Sequence, residues 1–245
     1  MAAPAFAAPE FAEHDIVRLR LLSREECATV RAELFALREH WHSRDPQLPF
    51  FTLGAASYLD AAHDYATYFA IAQRCNPLLS DRLGWLYEKL SGELGHQLNA
   101  RVGFAPGLAL PGFHVYLAHP MFERPIASIH CDTQYQPHDW SAFAHADFQH
   151  PMSFTLAIAL PQCGGGLNTW DMDYAEYAAL TPSRLAQRLA QRKQRYCAYS
   201  AGELVLHSGH VVHQAAPVVE VRDGDERITL QGHALNCDGR WLLYW

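Results

Sequence analysis

Apolar residues recur at helical spacing near the start of the chain. Val30, Leu34 and Leu37 lie three to four residues apart, so they would share one face of a helix. They follow Ser23-Arg-Glu-Glu26, in which a serine and a glutamate have the spacing of an N-terminal capping box. The pattern predicts a helix from residue 23 to about residue 40.

A second helical pattern follows a stretch that proline and glycine interrupt. Leu83, Leu86, Tyr87 and Leu90 have helical spacing and predict a helix over about 80–94. Residues 1–15, which are rich in alanine and proline, predict a loose arm. The short apolar run 16–22 leads from this arm into the first helix.

After residue 98 the pattern changes to short, alternating, aromatic-rich runs separated by glycine and proline. This texture is typical of a β-sandwich or barrel. The predicted strands are 112–118, 125–132, 152–160, 166–171, 195–199, 203–207, 211–221, 226–235 and 240–245. One helix interrupts them over about 181–193, where Thr181 precedes a proline at the first helical position.

Helices therefore come first and strands later, which predicts an α+β or mainly β protein. At 245 residues the chain is expected to form one domain. Within it, residues 1–98 would be a mainly helical buttress. Residues 99–245 would be the β core with one inserted helix.

Composition and charge narrow the function. There are 26 acidic and 19 basic residues and no basic run, which argues against nucleic-acid partners and anionic membrane surfaces. The six cysteines include no C-x-x-C pair, so neither a disulfide framework nor a zinc knuckle is expected. The N-terminus lacks the positive region of a signal peptide, and no apolar run is long enough for a membrane span. A soluble cytoplasmic protein is the expectation.

The strongest chemical feature is His130-Cys131-Asp132, at the end of the predicted strand 125–132. Residues two apart on a strand share a face, so the imidazole and the carboxylate would point the same way. Together they make two parts of the 2-His-1-carboxylate triad that binds non-haem Fe(II). The spacing alone is weak, because His145-Ala-Asp147 repeats it.

The third ligand would be a histidine from further along the chain. His207, His210 and His213 are the candidates on the segment after Gly202. The residues alone do not choose among them.

At this point the chain resembles the Fe(II)/2-oxoglutarate-dependent dioxygenases. The resemblance rests on the order of His130-Cys131-Asp132, Gly164-Gly165-Gly166, His213-Gln-Ala-Ala-Pro217-Val218 and Arg227-Ile228-Thr229. It covers roughly residues 112–236. It implies a double-stranded β-helix, or jelly-roll, core buttressed by the N-terminal helices. It also implies that strand 125–132 pairs with residues 113–116.

The resemblance implies the roles of the site residues. His130, Asp132 and His213 would be the catalytic metal ligands for Fe(II), leaving positions open for 2-oxoglutarate and O₂. Arg227 would hold the distal carboxylate of 2-oxoglutarate through a bidentate fork, with Thr229 and Tyr116 nearby. His210 stays a second choice for the distal ligand, because the segment from His213 to Arg227 is longer than usual.

The substrate pocket is less well defined by sequence. Residues 134–150 combine polar and aromatic side chains and predict either a cover over the site or an ordinary surface loop. Tyr135, Trp170 and His114 are assigned to the substrate pocket, and Trp170 could equally be a core residue.

The implied activity is oxidation of an unactivated C–H bond, chiefly hydroxylation of a small molecule, with release of succinate and CO₂. One alternative is a cupin-type metalloenzyme, an isomerase or dioxygenase, that does not use 2-oxoglutarate. Another is a non-catalytic jelly-roll binding domain. The sequence leaves open a protein substrate, the identity of a small one, and the oligomeric state.

Overall fold

A computed structural model describes residues 16–62, 64–125 and 127–245. The predicted arm over residues 1–15 lies outside the described residues. Helix α1 (Arg24–Ala36) begins at the predicted capping box: the Ser23 side chain accepts from the backbone of Glu26, and the Glu26 side chain accepts from Ser23 N. It ends before residue 40, and a 3₁₀ turn (Arg38–His40) follows.

Helix α2 (Tyr65–Leu98) is much longer than the predicted 80–94. Pro77 lies inside it, and a proline there normally indicates a helix end. The prediction therefore found only the part of the helix after Pro77. The apolar residues on which it rested, from Leu83 to Leu90, are buried as expected.

The described residues contain twelve β-strands and two further short helices. The strands are β1 (Ile16–Arg20), β2 (His42–Ser43), β3 (Phe50–Leu53), β4 (Arg101–Phe104), β5 (Gly112–Leu117), β6 (Ala146–Ala159), β7 (Leu167–Trp170), β8 (Gln194–Cys197), β9 (Glu203–Ser208), β10 (His213–Ala215), β11 (Glu226–Cys237) and β12 (Arg240–Tyr244). The short helices are α3 (Tyr174–Ala178) and α4 (Pro182–Leu189).

The strands form two sheets. In the larger sheet the order is β1-β9-β6-β11-β5-β3-β2, and β12 lies beside the second half of β11 with β4 at its outer edge. The smaller sheet has the order β10-β7-β8. Leu167 on β7 packs with Ala157 on β6 and Val205 on β9, so the smaller sheet faces the larger one. The protein is thus a mainly β jelly roll with a helical buttress, which confirms the predicted fold class.

The two faces of the larger sheet differ in character. On β6, Phe154, Leu156 and Ile158 enter the main hydrophobic core with α1 and α2, and Ile228 and Leu230 do the same on β11. The alternate residues point the other way, between the sheets. On β11 these are polar: Arg227, Thr229, Gln231 and His233. The helices therefore seal one face and leave the polar face to line a cavity.

Two strand predictions were wrong. Residues 127–132 form no regular strand: after a 3₁₀ turn (Pro120–Glu123), their pairing is reduced to an isolated bridge from His130 to His213. The expected pairing with residues 113–116 does not occur, because β3 and β11 occupy both edges of β5.

Other element bounds also differ from prediction. The predicted strand 211–221 is only three residues long, and the inserted helix ends at Leu189. The last five residues of the predicted loop 134–150 belong to β6. Strands β1, β2 and β3 show that residues 1–98 also contribute to the larger sheet; the division at residue 98 stays a prediction. No helix in the described ranges has a stretch long and apolar enough to cross a membrane.

Candidate metal centre

His130, Asp132 and His213 meet between the sheets. Each offers one ligand atom, and these atoms lie within 4.8 Å of one another. His130 Nε2 is 3.5 Å from one carboxylate oxygen of Asp132, and His213 Nε2 is 3.5 Å from the other. Of the residues that the structure describes, these form the one cluster of three or more histidine, cysteine or acidic side chains close enough to share a metal ion.

Backbone hydrogen bonds bring the three residues together. His130 N donates to His213 O at 3.0 Å, and His213 N donates to His130 O at 2.9 Å. Asp132 N donates to Gly209 O, in the turn between β9 and β10. Residues 130–132, which carry the first two candidate ligands, are therefore hydrogen-bonded to residues 209–213, which carry the third.

The same backbone determines which ring nitrogen faces the centre. His130 Nδ1 donates to Ser128 O at 2.8 Å, and His213 Nδ1 donates to Val211 O at 2.8 Å. A carbonyl oxygen can only accept, so Nδ1 carries the proton in each ring. In the neutral rings both Nε2 atoms then present lone pairs, as metal-ligating histidines with an ordered second shell do.

The electrostatics suit a cation. Burial raises the pKa of Asp132, but the neighbouring imidazoles, led by His213 and His233, outweigh it and hold this pKa well below its usual range. Burial lowers the pKa of His213 to about 3. Burial also lowers the pKa of His130. The Asp132 carboxylate and the Ser128 carbonyl raise this pKa by more than burial lowers it, so that it lies above the usual 6.5.

Gln134 adds a further restraint on the carboxylate. Its amide nitrogen donates to the Oδ1 atom of Asp132 at 3.1 Å. Two imidazole nitrogens and an ionised carboxylate on one side of a centre fit an octahedral metal such as Fe(II) with three positions left open.

The centre opens into a cavity of about 500 Å³. Its polar wall comes mainly from β5, β6, β9 and β11 of the larger sheet. The polar lining residues besides the three candidate ligands are Tyr58, His114, Tyr116, Ser128, Gln134, Ser153, Thr155, Tyr199, His207, Arg227, Gln231 and His233.

Arg227 lines this cavity and is 6% exposed. Its Nε donates to Gly165 O at 2.8 Å, and its guanidinium carbon lies 5.7 Å from the ring centre of Tyr116 and 6.0 Å from that of Tyr199. Among the described residues no carboxylate pairs with Arg227. A buried cation without an ionic partner is costly, and an anion bound in the cavity would offset that cost.

The other residues assigned by sequence fall into two groups. Tyr116 and His114 line the cavity, and Thr229 is fully buried directly opposite His114 in the sheet. Tyr135 and Trp170 do not line it. Tyr135 packs in a cluster with Trp140 and stacks on Phe148, and Trp170, the last residue of β7, packs in a cluster with Leu189 of α4.

The competing histidines lie elsewhere. Asp147 pairs with His150 at 2.8 Å on an exposed part of β6, away from the cavity. The His210 ring stacks on Tyr174 with centroids 4.0 Å apart. Neither belongs to the cluster of three.

Several cavity residues were not singled out from the sequence. Tyr199 lies beside Arg227, and Tyr58 reaches His114 from a π-helical turn (Ser57–Ala61) through a hydrogen bond between its hydroxyl and the ring. Ser153 faces His233 from the neighbouring strand. Alternation along β6 would have placed Ser153 on the polar face, but only the strand register shows its neighbours.

Comparison with known proteins gives structural matches only. No protein-family model matches the sequence, and no curated protein matches it. A crystal structure of an N-substituted L-amino acid dioxygenase from Burkholderia ambifaria AMMD superposes with a TM-score of 0.58 at 17% identity, covering 94% of this chain and 86% of that one. The same enzyme in complex with α-ketoglutarate superposes with a TM-score of 0.57 over the same shares at 17% identity.

A third structure is a non-haem α-ketoglutarate-dependent carbocyclase from nogalamycin biosynthesis. It superposes with a TM-score of 0.50 at 10% identity, covering 95% of this chain and 93% of that one. At these identities the likeness is one of fold. The chain has the fold of the non-haem α-ketoglutarate-dependent oxygenases that its sequence motifs resemble.

Proposed function

We propose that the protein is an Fe(II)- and 2-oxoglutarate-dependent oxygenase. It would oxidise an unactivated C–H bond of a small molecule, chiefly by hydroxylation, and release succinate and CO₂. The observation that carries this proposal is the shared cavity, in which a facial set of two histidines and one aspartate lies with a buried arginine that has no ionic partner among the described residues.

His130, Asp132 and His213 would hold the iron. Bound Fe(II) supplies open coordination positions and the electrons that activate O₂. The protein's own contribution is to hold the proton of each neutral ring on Nδ1, through the carbonyls of Ser128 and Val211, so that both Nε2 lone pairs point inward. Because Asp132 supplies a carboxylate, no ligand position is given up to a halide, which disfavours halogenation.

Arg227 would bind the distal carboxylate of 2-oxoglutarate. Its Nε is used by Gly165 O, so the terminal nitrogens are the donors left for an anion. Tyr116 and Tyr199 lie near the guanidinium and can add phenolic donors, and burial raises the pKa of each to about 12, so both hydroxyls keep their protons. Thr229 shares the polar face of β11 with Arg227 and would support the same pocket.

A cupin-type metalloenzyme that uses no oxo acid is the second candidate. It would use the same three ligands, but it gives the buried Arg227 no anion to bind. A non-catalytic binding domain has no need for three candidate ligands that include two histidines with fixed tautomers. The proposal extends to a small-molecule substrate and a cytoplasmic location, and it assigns no nucleic-acid partner.

Succinate formation tests the proposal. The protein is incubated with Fe(II), ascorbate and 2-oxoglutarate under air, and succinate is measured against time. We expect slow turnover without added substrate that His130→Ala and Arg227→Ala abolish and that His145→Ala, in the exposed His-x-Asp copy, does not. Iron binding without any succinate, with or without candidate substrates, would favour the cupin-type reading.

A further inference from the structure

Three polar side chains form a row across the larger sheet. Ser153 on β6 lies directly opposite His207 on β9 and directly opposite His233 on β11. Cross-strand partners share a face, so the three side chains point to the same side, and all three line the cavity. Ser153 Oγ and His233 Nδ1 are 3.2 Å apart.

The row adjoins the candidate metal ligands. His233 Nδ1 is 3.9 Å from Asp132 Oδ2, and the rings of His207 and His213 have centroids 4.8 Å apart. Neither His207 nor His233 belongs to the ligand cluster itself. The row therefore borders the metal centre without forming part of it.

The row and Arg227 lie at opposite ends of the polar face of β11. His233 is six residues beyond Arg227, and six residues of a strand separate the two Cα atoms by roughly 20 Å. Thr229 and Gln231 lie between them on the same face. A carboxylate bound at Arg227 therefore does not occupy the row, and this end of the cavity is free for a second molecule.

His207 gives this end its chemical preference. Its Nδ1 donates to Ser208 O at 2.8 Å, so in the neutral ring Nε2 is a hydrogen-bond acceptor. The residue is 3% exposed, and no described residue donates a hydrogen bond to Nε2. An acceptor that faces a cavity and has no donor from the described residues can take one from the molecule that fills the cavity.

We propose that His207 Nε2 accepts a hydrogen bond from an O–H or N–H group of the substrate, and that Ser153 and His233 complete this subsite. The inference rests on the proposed function for the metal and the cosubstrate. It assigns the substrate to small molecules that carry a hydroxyl or an amide N–H close to the oxidised carbon. A substrate carboxylate, which can only accept, would oppose the acceptor of His207 at this position.

Matched probe pairs test the donor requirement. The protein is loaded with Zn(II), which does not turn over, and with 2-oxoglutarate. Binding is then measured by ligand-observed NMR for a panel of small alcohols and secondary amides, each paired with its methyl ether or N-methylated amide. We expect the donor member of a pair to bind about three- to tenfold more tightly, the range for one neutral hydrogen bond.

Variants assign the preference to one nitrogen. His207→Phe keeps a ring of similar shape without the acceptor and should remove the difference between paired probes. His207→Gln restores an acceptor oxygen near the place of Nε2 and should keep it. His150→Phe, on an exposed part of β6, is the control and should behave as the wild type.

A measurement on the wild type tests the same hydrogen bond without depending on whether the variants fold. In ¹⁵N NMR, the Nε2 resonance of His207 should shift when a donor probe is added and should stay in place with its capped partner. Equal binding within the pairs, no binding by any donor probe, or a preference that survives His207→Phe would overturn the inference. Calorimetric titration of 2-oxoglutarate into the Zn(II)-loaded protein separates the two proposals, because absence of that binding contradicts the proposed function itself.

Discussion

His130 and His213 are paired through their own backbones. Each donates its N–H to the carbonyl of the other, and their ring centroids lie 4.4 Å apart. Residues far apart in the chain are thereby held as direct neighbours. The position of the two imidazoles is a property of main-chain pairing, before any metal contributes to it.

Loss of one candidate ligand should strongly weaken metal binding. His213→Ala removes one of two nitrogen donors, and even the loss of a group that only orients a ligand weakens metal binding by about 10- to 100-fold. We therefore expect Mn(II) or Fe(II) affinity to fall by about 100-fold or more, measured by calorimetry. His145→Ala should leave it unchanged; an equal loss in that variant would mean that the other His-x-Asp copy holds the metal.

Metal affinity should decrease as the pH is lowered, because one ligand takes up a proton. A proton competes with the metal for each ligand atom. His130 has a pKa above its usual 6.5, whereas burial lowers the pKa of His213 to about 3 and the imidazoles hold the pKa of Asp132 well below its usual range. Of the three candidate ligands, only His130 therefore takes up a proton as the pH is lowered below its pKa, until the solution is strongly acidic.

The expected result is a loss of about tenfold in Mn(II) affinity for each pH unit below that point. Titrations at several pH values between 8 and 5 would measure it. An affinity that does not change over this range, or one that falls about 100-fold per unit because both imidazoles protonate together, would contradict the assigned ionisation states.

Arg227 should matter more for binding than for stability. Arg227→Met removes a buried cation that has no ionic partner among the described residues but leaves Gly165 O without its donor, so the free energy of unfolding of the ligand-free protein should fall by no more than about 1–3 kcal/mol. The affinity for 2-oxoglutarate should fall by about 100-fold or more, since the fork would make two hydrogen bonds to a charged group and each contributes about 1.5–3 kcal/mol.

Arg227→Lys is the matched variant for this prediction. It keeps the charge but loses the bidentate fork, so its affinity should lie between those of the wild type and Arg227→Met. Urea unfolding and calorimetry give the two quantities separately. A large loss of stability in Arg227→Met without 2-oxoglutarate would show that the guanidinium serves the fold instead of a ligand.

The glycine run before β7 should tolerate no side chain. Gly164 has φ +86°, and a Cβ there would come within 2.5 Å of Pro217 O. Gly224 has φ +81°, and no atom lies within 4 Å of the position that a Cβ would take. An alanine at this position therefore measures the cost of backbone strain alone. We expect Gly224→Ala to cost about 1–2 kcal/mol and Gly164→Ala about 1–3 kcal/mol more.

Thermal and urea unfolding of both variants would measure this difference. Because Gly165 O accepts from Arg227, the Gly164 variant should also weaken 2-oxoglutarate binding. Equal destabilisation of the two variants would mean that Pro217 O moves away from the added Cβ without a loss of stability.

Much of the fold could be predicted from local patterns. The capping box at Ser23, the buried stripe of α1 and the alternation along β11 are all local signals, and the structure follows them. The errors arose where long-range contacts decide. Pro77 lies within a helix that packing maintains, and His130 and Asp132 are held by three backbone hydrogen bonds, to His213 and Gly209, instead of a strand ladder.

The candidate site was predictable to a similar extent. The order of motifs brings attention to His130, Asp132, His213 and Arg227 without any coordinates. The sequence could not show that Tyr135 and Trp170 pack outside the cavity, because this depends on contacts between distant parts of the chain. Nor could it show that Ser153 lies between two histidines, because this depends on the register of strands that are distant in the chain.

The carbonyls that hold the two Nδ1 protons belong to Ser128 and Val211, and each lies two residues before the histidine that it orients. Tautomer selection is therefore built into a local loop shape that any side chain at positions 128 or 211 can share. The rest of the cavity wall could be altered residue by residue, to admit a new compound, while the nitrogen that would bind the proposed iron stays the same. Such a division would let a redesigned pocket keep its oxidising centre.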